Sequence, residues 1–171
     1  MTPRSLALGA AAVAAGSLLV ASLMWGLQHA AVANPAVLGG VAPRLAIRTP
    51  AGDQVRVWEL RGKPVVLNFW ASWCGPCVEE GSVLADSAVG SPGIAFVGAD
   101  NRDSASGFEQ FERSHPHPYP AGPIVTGSYQ SYGVAGLPET FFINSDGMVV
   151  ASFTGPLDRG TLARYLRLIS G

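Results

Sequence analysis

Thiols are scarce in this sequence: among 171 residues only Cys74 and Cys77 are cysteines. A zinc site built on a Cys-x-x-Cys pair needs two more ligands, ordinarily a second Cys or His pair. Histidine is nearly as rare, confined to His29, His115 and His117, so neither a metal nor another cofactor is expected. With no third thiol, the pair has no wrong intramolecular disulfide to form. Charge is sparse as well, with a net charge of −1 and no basic or acidic block. Nucleic acid and polyanions are therefore not expected as partners. Internal repeats are absent.

Charge is missing altogether from Leu6 to Leu27, a run rich in Ala, Leu, Val and Gly. Its length matches the ~20 apolar residues that span a bilayer core. Arg4 precedes the run and the next charge is Arg44. The positive-inside rule then places residues 1–5 in the cytoplasm and the rest of the chain on the far side. The expectation is a signal-anchor helix over 6–27, a linker over 28–43 and one folded domain over 44–171. The alternative is cleavage. Ala31-Val32-Ala33 has the A-x-A pattern that a signal peptidase cuts, which would release a secreted or periplasmic domain. The run exceeds the h-region of about 7–15 residues found in signal peptides, which favours the anchor. Either way the domain is exported, to a compartment where thiols tend to be oxidised.

What the sequence does have is Val65-Val66-Leu67-Asn68-Phe69-Trp70-Ala71-Ser72-Trp73-Cys74-Gly75-Pro76-Cys77. An apolar, β-rich run leads into two cysteines two residues apart, and a helical pattern follows at once. A buried strand should deliver Cys74 to the surface at a helix start. There, unpaired amide N–H groups and the helix dipole favour negative charge. That lowers a thiol pKa, and the thiolate is the reactive species. Pro76 is tolerated in a first turn, where its missing N–H costs nothing. Cys77 follows about one turn later, close enough to close a disulfide. A structural bridge would be a poor staple, because so short a loop removes little unfolded-state entropy. The reading is thiol–disulfide exchange.

Taken in order, Arg44–Thr49 and Gln54–Trp58 alternate apolar and polar around the turn Pro50-Ala51-Gly52-Asp53, which predicts a β-hairpin. Val65–Trp70 reads as a strand covered on both faces. Val78–Val89 reads as a helix, ended by Gly90-Ser91-Pro92-Gly93. Ile94–Ala99 is a second buried strand, with Asp100–Asp103 at its carboxyl end. A short helix begins near Ser104 and carries Phe108 and Phe111. The proline-rich stretch 115–120 leads to a short strand near Ile124. Strands Thr140–Asn144 and Met148–Thr154 flank the turn Ser145-Asp146-Gly147, and an amphipathic helix ends at Ile169. This order implies an α/β sheet of mixed direction with helices on both faces.

These residues resemble a thioredoxin-fold family, the exported TlpA/ResA/DsbE group. The likeness rests on the block Val65–Cys77 and on a second block, Tyr132-Gly133-Val134-Ala135-Gly136-Leu137-Pro138-Glu139-Thr140-Phe141. The resemblance implies a thioredoxin fold with an N-terminal β-hairpin, a central helical insertion and a preceding membrane helix. It implies Cys74 and Cys77 as the catalytic pair, supported by Trp73, Gly75 and Pro76. It implies a cis peptide at Leu137–Pro138 facing the disulfide, whose backbone pairs with an extended substrate segment in the manner of strand addition. Leu137, Pro138 and Glu139 would then form the docking loop, with Glu139 on its acidic rim. Thioredoxins proper carry a buried Asp where this chain has Asn68. In the resembled group the proton acceptor is a Glu three residues after the second cysteine, here Glu80. A carboxyl near two sulfurs in a partly apolar cleft would have a raised pKa. The alternative for Glu80 is a solvated helix acid. The group's usual Pro two residues later is Ser82 here, which bears on where Glu80 sits.

The implied activity is reduction of protein disulfides, apocytochrome c among the candidate substrates, with electrons from a membrane thiol donor and the chain a monomer. Gly-Pro between the cysteines is the dipeptide of reducing thioredoxin. An exported disulfide-forming oxidase would use the same residues. A peroxiredoxin is disfavoured, because Leu67 and Ala71 stand where its Pro and Thr/Ser are required. A copper chaperone on this fold is disfavoured because its cysteines are one residue further apart.

Overall fold

The computed structural model describes residues 16–22 and 37–171. The chain divides into two compact units, Met1–Asn34 and Pro35–Gly171. In the first, residues 16–22 are helical and exposed. Among the described residues no helix is long and apolar enough to cross a membrane. The remainder of the expected span, 6–15 and 23–27, lies outside the described residues, as does 28–36 of the expected linker.

The folded unit begins earlier than the linker expectation allows. Val37 is buried in the core. Gly39 N donates to Val149 O at 2.8 Å and Ala42 N to Gly147 O at 2.9 Å, and Val41 bridges Met148. Residues 37–42 are thus tied into the sheet. Their Ala, Val and Gly composition reads as linker only because the partners that satisfy their backbone lie over a hundred residues away.

The sheet contains β1 (Ala46–Arg48), β2 (Gln54–Arg56), β3 (Val65–Trp70), β4 (Ala95–Asp100), β5 (Ala121–Thr126), β6 (Glu139–Ile143) and β7 (Val149–Thr154). Their order across it is β2-β1-β5-β4-β3-β6-β7. β3 pairs parallel to β4 and antiparallel to β6, which makes it an interior strand, next to the middle one, β4. All six residues of β3 are buried, as its nearly continuous apolar run leads one to expect. Three helices complete the unit: α1 (Gly75–Gly90), α2 (Ala105–Ser114) and α3 (Arg159–Ser170).

Period-2 alternation along β3 sorts the core. Val66 packs with Leu84 of α1 and with Leu162 and Ile169 of α3. Trp70, on the same face, packs with Phe108 of α2. Val65, Leu67 and Phe69 point the other way, among Val37, Val57, Tyr132 and Phe141. Among the described residues that second face carries no α-helix, contrary to the expectation of helices on both. It is closed instead by residues 37–42 and by two 3-10 turns, Val57–Glu59 and Tyr129–Tyr132. The expected strand Gln54–Trp58 accordingly stops at Arg56, since the turn carries Val57 into the core. Tyr132, fully buried, satisfies its hydroxyl on Pro43 O at 2.8 Å.

Candidate functional site

Strand β3 ends at Trp70, and the chain turns through Ala71, Ser72 and Trp73 into α1. Cys74 is the N-cap of that helix, with extended backbone, and its sulfur accepts from Cys77 N at 3.3 Å. The cap geometry therefore aims an N-terminal amide at the Cys74 sulfur, where it stabilises a thiolate. Cys74 and Cys77 form a disulfide with Cα atoms 5.2 Å apart. Both are 5 % exposed, so Cys74 is more recessed than its expected delivery to the surface implied. The residues around it are open: Trp73 is 62 % exposed, and Gly75 and Pro76 are exposed too. Trp70, Ala71, Phe108 and Ala121 pack with the two cysteines, and Leu137 closes on the same cluster.

Beneath the pair, Asn68 and Glu80 meet in the interior. Asn68 Nδ2 donates to Glu80 Oε1 at 2.8 Å and to Thr140 Oγ1 at 3.0 Å. Leu157 N donates to Glu80 Oε2 at 2.8 Å. Glu80 is 2 % exposed, which replaces the alternative of a solvated helix acid. Burial raises its pKa to about 7, against the lowering effect of the Leu157 and Asn68 hydrogen bonds. Three residues after Cys77, it shares that residue's face of α1. Ser82, in place of the group's usual Pro, does not turn Glu80 outward. A cavity of about 240 Å3 opens beside Cys77, lined among others by Asn68, Trp70, Leu84 and Phe111.

Leu137–Pro138 is a cis peptide, and Pro138 is buried. Glu139 corrects the expectation of an acidic rim. It is 2 % exposed, and its Oε2 accepts from Ala135 N at 3.1 Å. The side chain points inward and braces the loop, because β6 begins at this residue and pairs it with Phe69 and Thr154. Burial raises its pKa, partly offset by hydrogen bonds from Ala135, Thr154 and Gly136.

Two residues of this region carry no motif. Asp103 accepts from Ser72 N at 2.7 Å and from Ser72 Oγ at 2.9 Å, which clamps the turn just before Cys74. Arg102, in the left-handed region at φ 64°, accepts the Trp73 indole N–H on its carbonyl at 3.3 Å. Its guanidinium donates to Tyr129 Oη and lies 4.8 Å from the ring centroid. The available signal was positional: the carboxyl ends of parallel strands are where α/β sheets build sites.

The comparisons agree with this geometry. Residues 39–169 match the Redoxin family. The thiol-disulfide oxidoreductase ResA of Bacillus subtilis is 31% identical over 136 residues, covering 77% of this chain and 75% of that protein. The thiol:disulfide interchange protein HelX of Rhodobacter capsulatus is 31% identical over 108 residues, 61% of this chain and 60% of that protein. Among solved structures, a DsbE-type thiol:disulfide interchange protein from Chlorobium tepidum superposes with a TM-score of 0.72 at 27% identity, covering 78% of this chain and 98% of its own. With its oxidised Cys74–Cys77 pair at the tip of α1, the chain belongs to the Redoxin family, as a thioredoxin-fold thiol–disulfide oxidoreductase of the ResA/DsbE type.

Proposed function

We propose that this enzyme is an exported reductase of protein disulfides in which Cys74 is the nucleophile and Cys77 the resolving thiol. One observation carries the reading: Cys74 caps α1, with a helix amide directed at its sulfur and Cys77 in bonding range. In the reduced enzyme the Cys74 thiolate attacks a substrate disulfide, joins one substrate sulfur and expels the other as thiolate. Cys77 then gives its proton to Glu80 and attacks Cys74, which forms the internal disulfide and releases the second substrate thiolate. Two electrons have passed to the substrate. A membrane thiol donor returns them by the reverse exchange.

Glu80 suits the proton-transfer role because burial brings its pKa to about 7, where acid and base forms are both available. Asn68 orients it. Leu137 and Pro138 supply the backbone for an extended substrate segment, with Glu139 holding their loop from inside and Trp73 offering an exposed ring beside the sulfurs. The apolar run 6–27 supports a membrane anchor with the domain on the extracytoplasmic side. Apocytochrome c, whose Cys-x-x-Cys pair must be reduced before haem attachment, is the substrate we favour by family analogy.

A Cys77→Ala variant tests the reading, since it should accumulate a mixed disulfide through Cys74 and identify the substrate directly. The direction is tested on the purified enzyme equilibrated with glutathione. A strongly reducing potential supports the reductase, whereas a potential at the oxidising end with disulfide introduction into reduced substrate makes it an oxidase.

A further inference from the structure

Among the described residues three buried side-chain polar atoms have no hydrogen-bond partner: Thr49 Oγ1, Trp70 Nε1 and Asp100 Oδ1. Two of the three residues, Thr49 and Asp100, line one cavity of about 660 Å3 where the ends of β1, β4 and β5 meet α2. That volume lies within the range of small-ligand sites. Asp100 is 6 % exposed. Its cross-strand neighbour on β5 is Pro123, which has no N–H to offer it. A buried carboxylate oxygen without a donor is expensive, and the unpartnered Nε1 of Trp70, its neighbour on β3, does not bond it, which leaves a place for a donor from outside the chain.

We propose that this cavity binds an organic cation carried on an apolar stem, with Asp100 and Thr49 receiving its N–H groups. The remaining acids of the wall are already engaged. Asp103 holds Ser72 and Ser104, Glu112 pairs with His117, and Glu109 faces Arg113 at 3.9 Å. Of these four acids only Asp100 has a buried oxygen without a hydrogen-bond partner. Four carboxylates line the cavity against two guanidiniums, Arg48 and Arg113, both exposed at the rim. The field inside therefore favours a positive ligand, and the same field from Asp103 and Glu112 adds to burial in raising the Asp100 pKa to about 7. A bound cation would take the place of that proton. The stem rests on Phe108 and on Pro50, Pro116 and Pro123. Among the described residues no group of three or more His, Cys, Asp or Glu is placed to hold a metal ion, which directs the inference to nitrogen cations. The cation is either a free alkylguanidine or alkylamine, or the Arg or Lys side chain of a polypeptide. Phe108 also belongs to the hydrophobic cluster that contains both cysteines, which links the cavity wall to the redox pair. The inference stands whether the pair reduces or oxidises.

The test is calorimetric titration of the oxidised full-length chain with butylguanidinium, using butylurea as the neutral isostere. Saturable one-to-one binding at millimolar affinity or tighter is expected, with butylurea at least about tenfold weaker. Asp100→Asn, an isosteric change whose folding is checked by thermal unfolding, should weaken butylguanidinium at least about tenfold, and Thr49→Val about threefold. Equal binding of butylurea, unchanged affinity in Asp100→Asn, or no saturation into the tens of millimolar would overturn the site. Cystine peptides bearing Arg or norleucine beside the disulfide separate the sources. A preference for Arg that Asp100→Asn abolishes assigns a polypeptide side chain. Equal turnover alongside retained butylguanidinium binding assigns a free cation.

Discussion

Asn68 Nδ2 donates to Glu80 Oε1 at 2.8 Å, joining the middle of β3 to the second turn of α1 inside the protein. The bond holds a titratable carboxyl on the Cys77 side of the helix. Glu80→Gln keeps the acceptor oxygen for Leu157 N but cannot take a proton. Resolution of the mixed disulfide by Cys77 should slow about 100-fold near pH 7, and its pH profile should lose the inflection there. Rapid-quench measurement of the second exchange step reads both. A profile unchanged in shape would remove Glu80 from the proton path.

The same burial sets the pH dependence of stability. In the folded chain Glu80 has a pKa of about 7, against 4.5 for an ordinary glutamate. Between these values the native state holds a proton that the unfolded chain has released, so stability falls as pH rises through the window. Asp100 acts with the same sign, from 3.8 to about 7. The contribution is fully present below pH 4 and lost above pH 7. For Glu80 it amounts to about 3 kcal/mol at most. Urea denaturation of the oxidised protein should give a higher midpoint at pH 5 than at pH 7.5, and Glu80→Gln should reduce the difference.

Asn68→Ala removes the donor shared by Glu80 and Thr140, both buried. A loss of about 1–3 kcal/mol is expected, since two interior acceptors are left short. Because the Asn68 bond lowers the Glu80 pKa, its removal should raise that pKa further. Carboxyl-carbon NMR titration of Glu80 in the variant checks the direction, and a downward shift would contradict it.

The redox centre was legible because its chemistry is local. Four consecutive residues place two thiols one turn apart, and the strand before them is apolar except for Asn68. Chain order also revealed that β3 and β4 run parallel, since such a pairing needs a crossover helix and α1 supplies it. What stayed hidden depends on pairings remote in sequence. Residues 37–42 look like linker until Gly147 and Val149 are placed beside them. Glu139 looks like a loop acid until Phe69 and Thr154 bury it. Asp103 clamps Ser72 across 31 residues, and no spacing in the sequence announces that contact.

Trp73 tests the docking surface separately from the fold. Its ring is 62 % exposed, and its one hydrogen bond reaches Arg102 O at 3.3 Å. Trp73→Ala should leave thermal stability within about 0.5 kcal/mol of the parent. If the ring meets substrate, KM for a protein disulfide should rise several-fold while reduction of a small disulfide such as oxidised glutathione barely changes. Equal losses on both substrates would instead place Trp73 in tuning the thiols.

Two glycines give opposite predictions from the same substitution. At Gly122 on β5, a Cβ would fall on the Arg48 carbonyl oxygen and 2.7 Å from its carbon. Both atoms are backbone at the end of β1, which pairs with β5 through Ala46 and Ile47, so no side chain can swing aside. Gly122→Ala should cost about 3 kcal/mol and separate the N-terminal hairpin from the sheet. Gly81 lies inside α1, where an added Cβ would meet nothing within 4 Å. There alanine adds helix propensity and restricts the unfolded chain, so Gly81→Ala should gain about 0.5–1 kcal/mol. Equilibrium unfolding of the two variants side by side measures both, and stabilisation at Gly122 would mean that β5 does not lie against β1 as described.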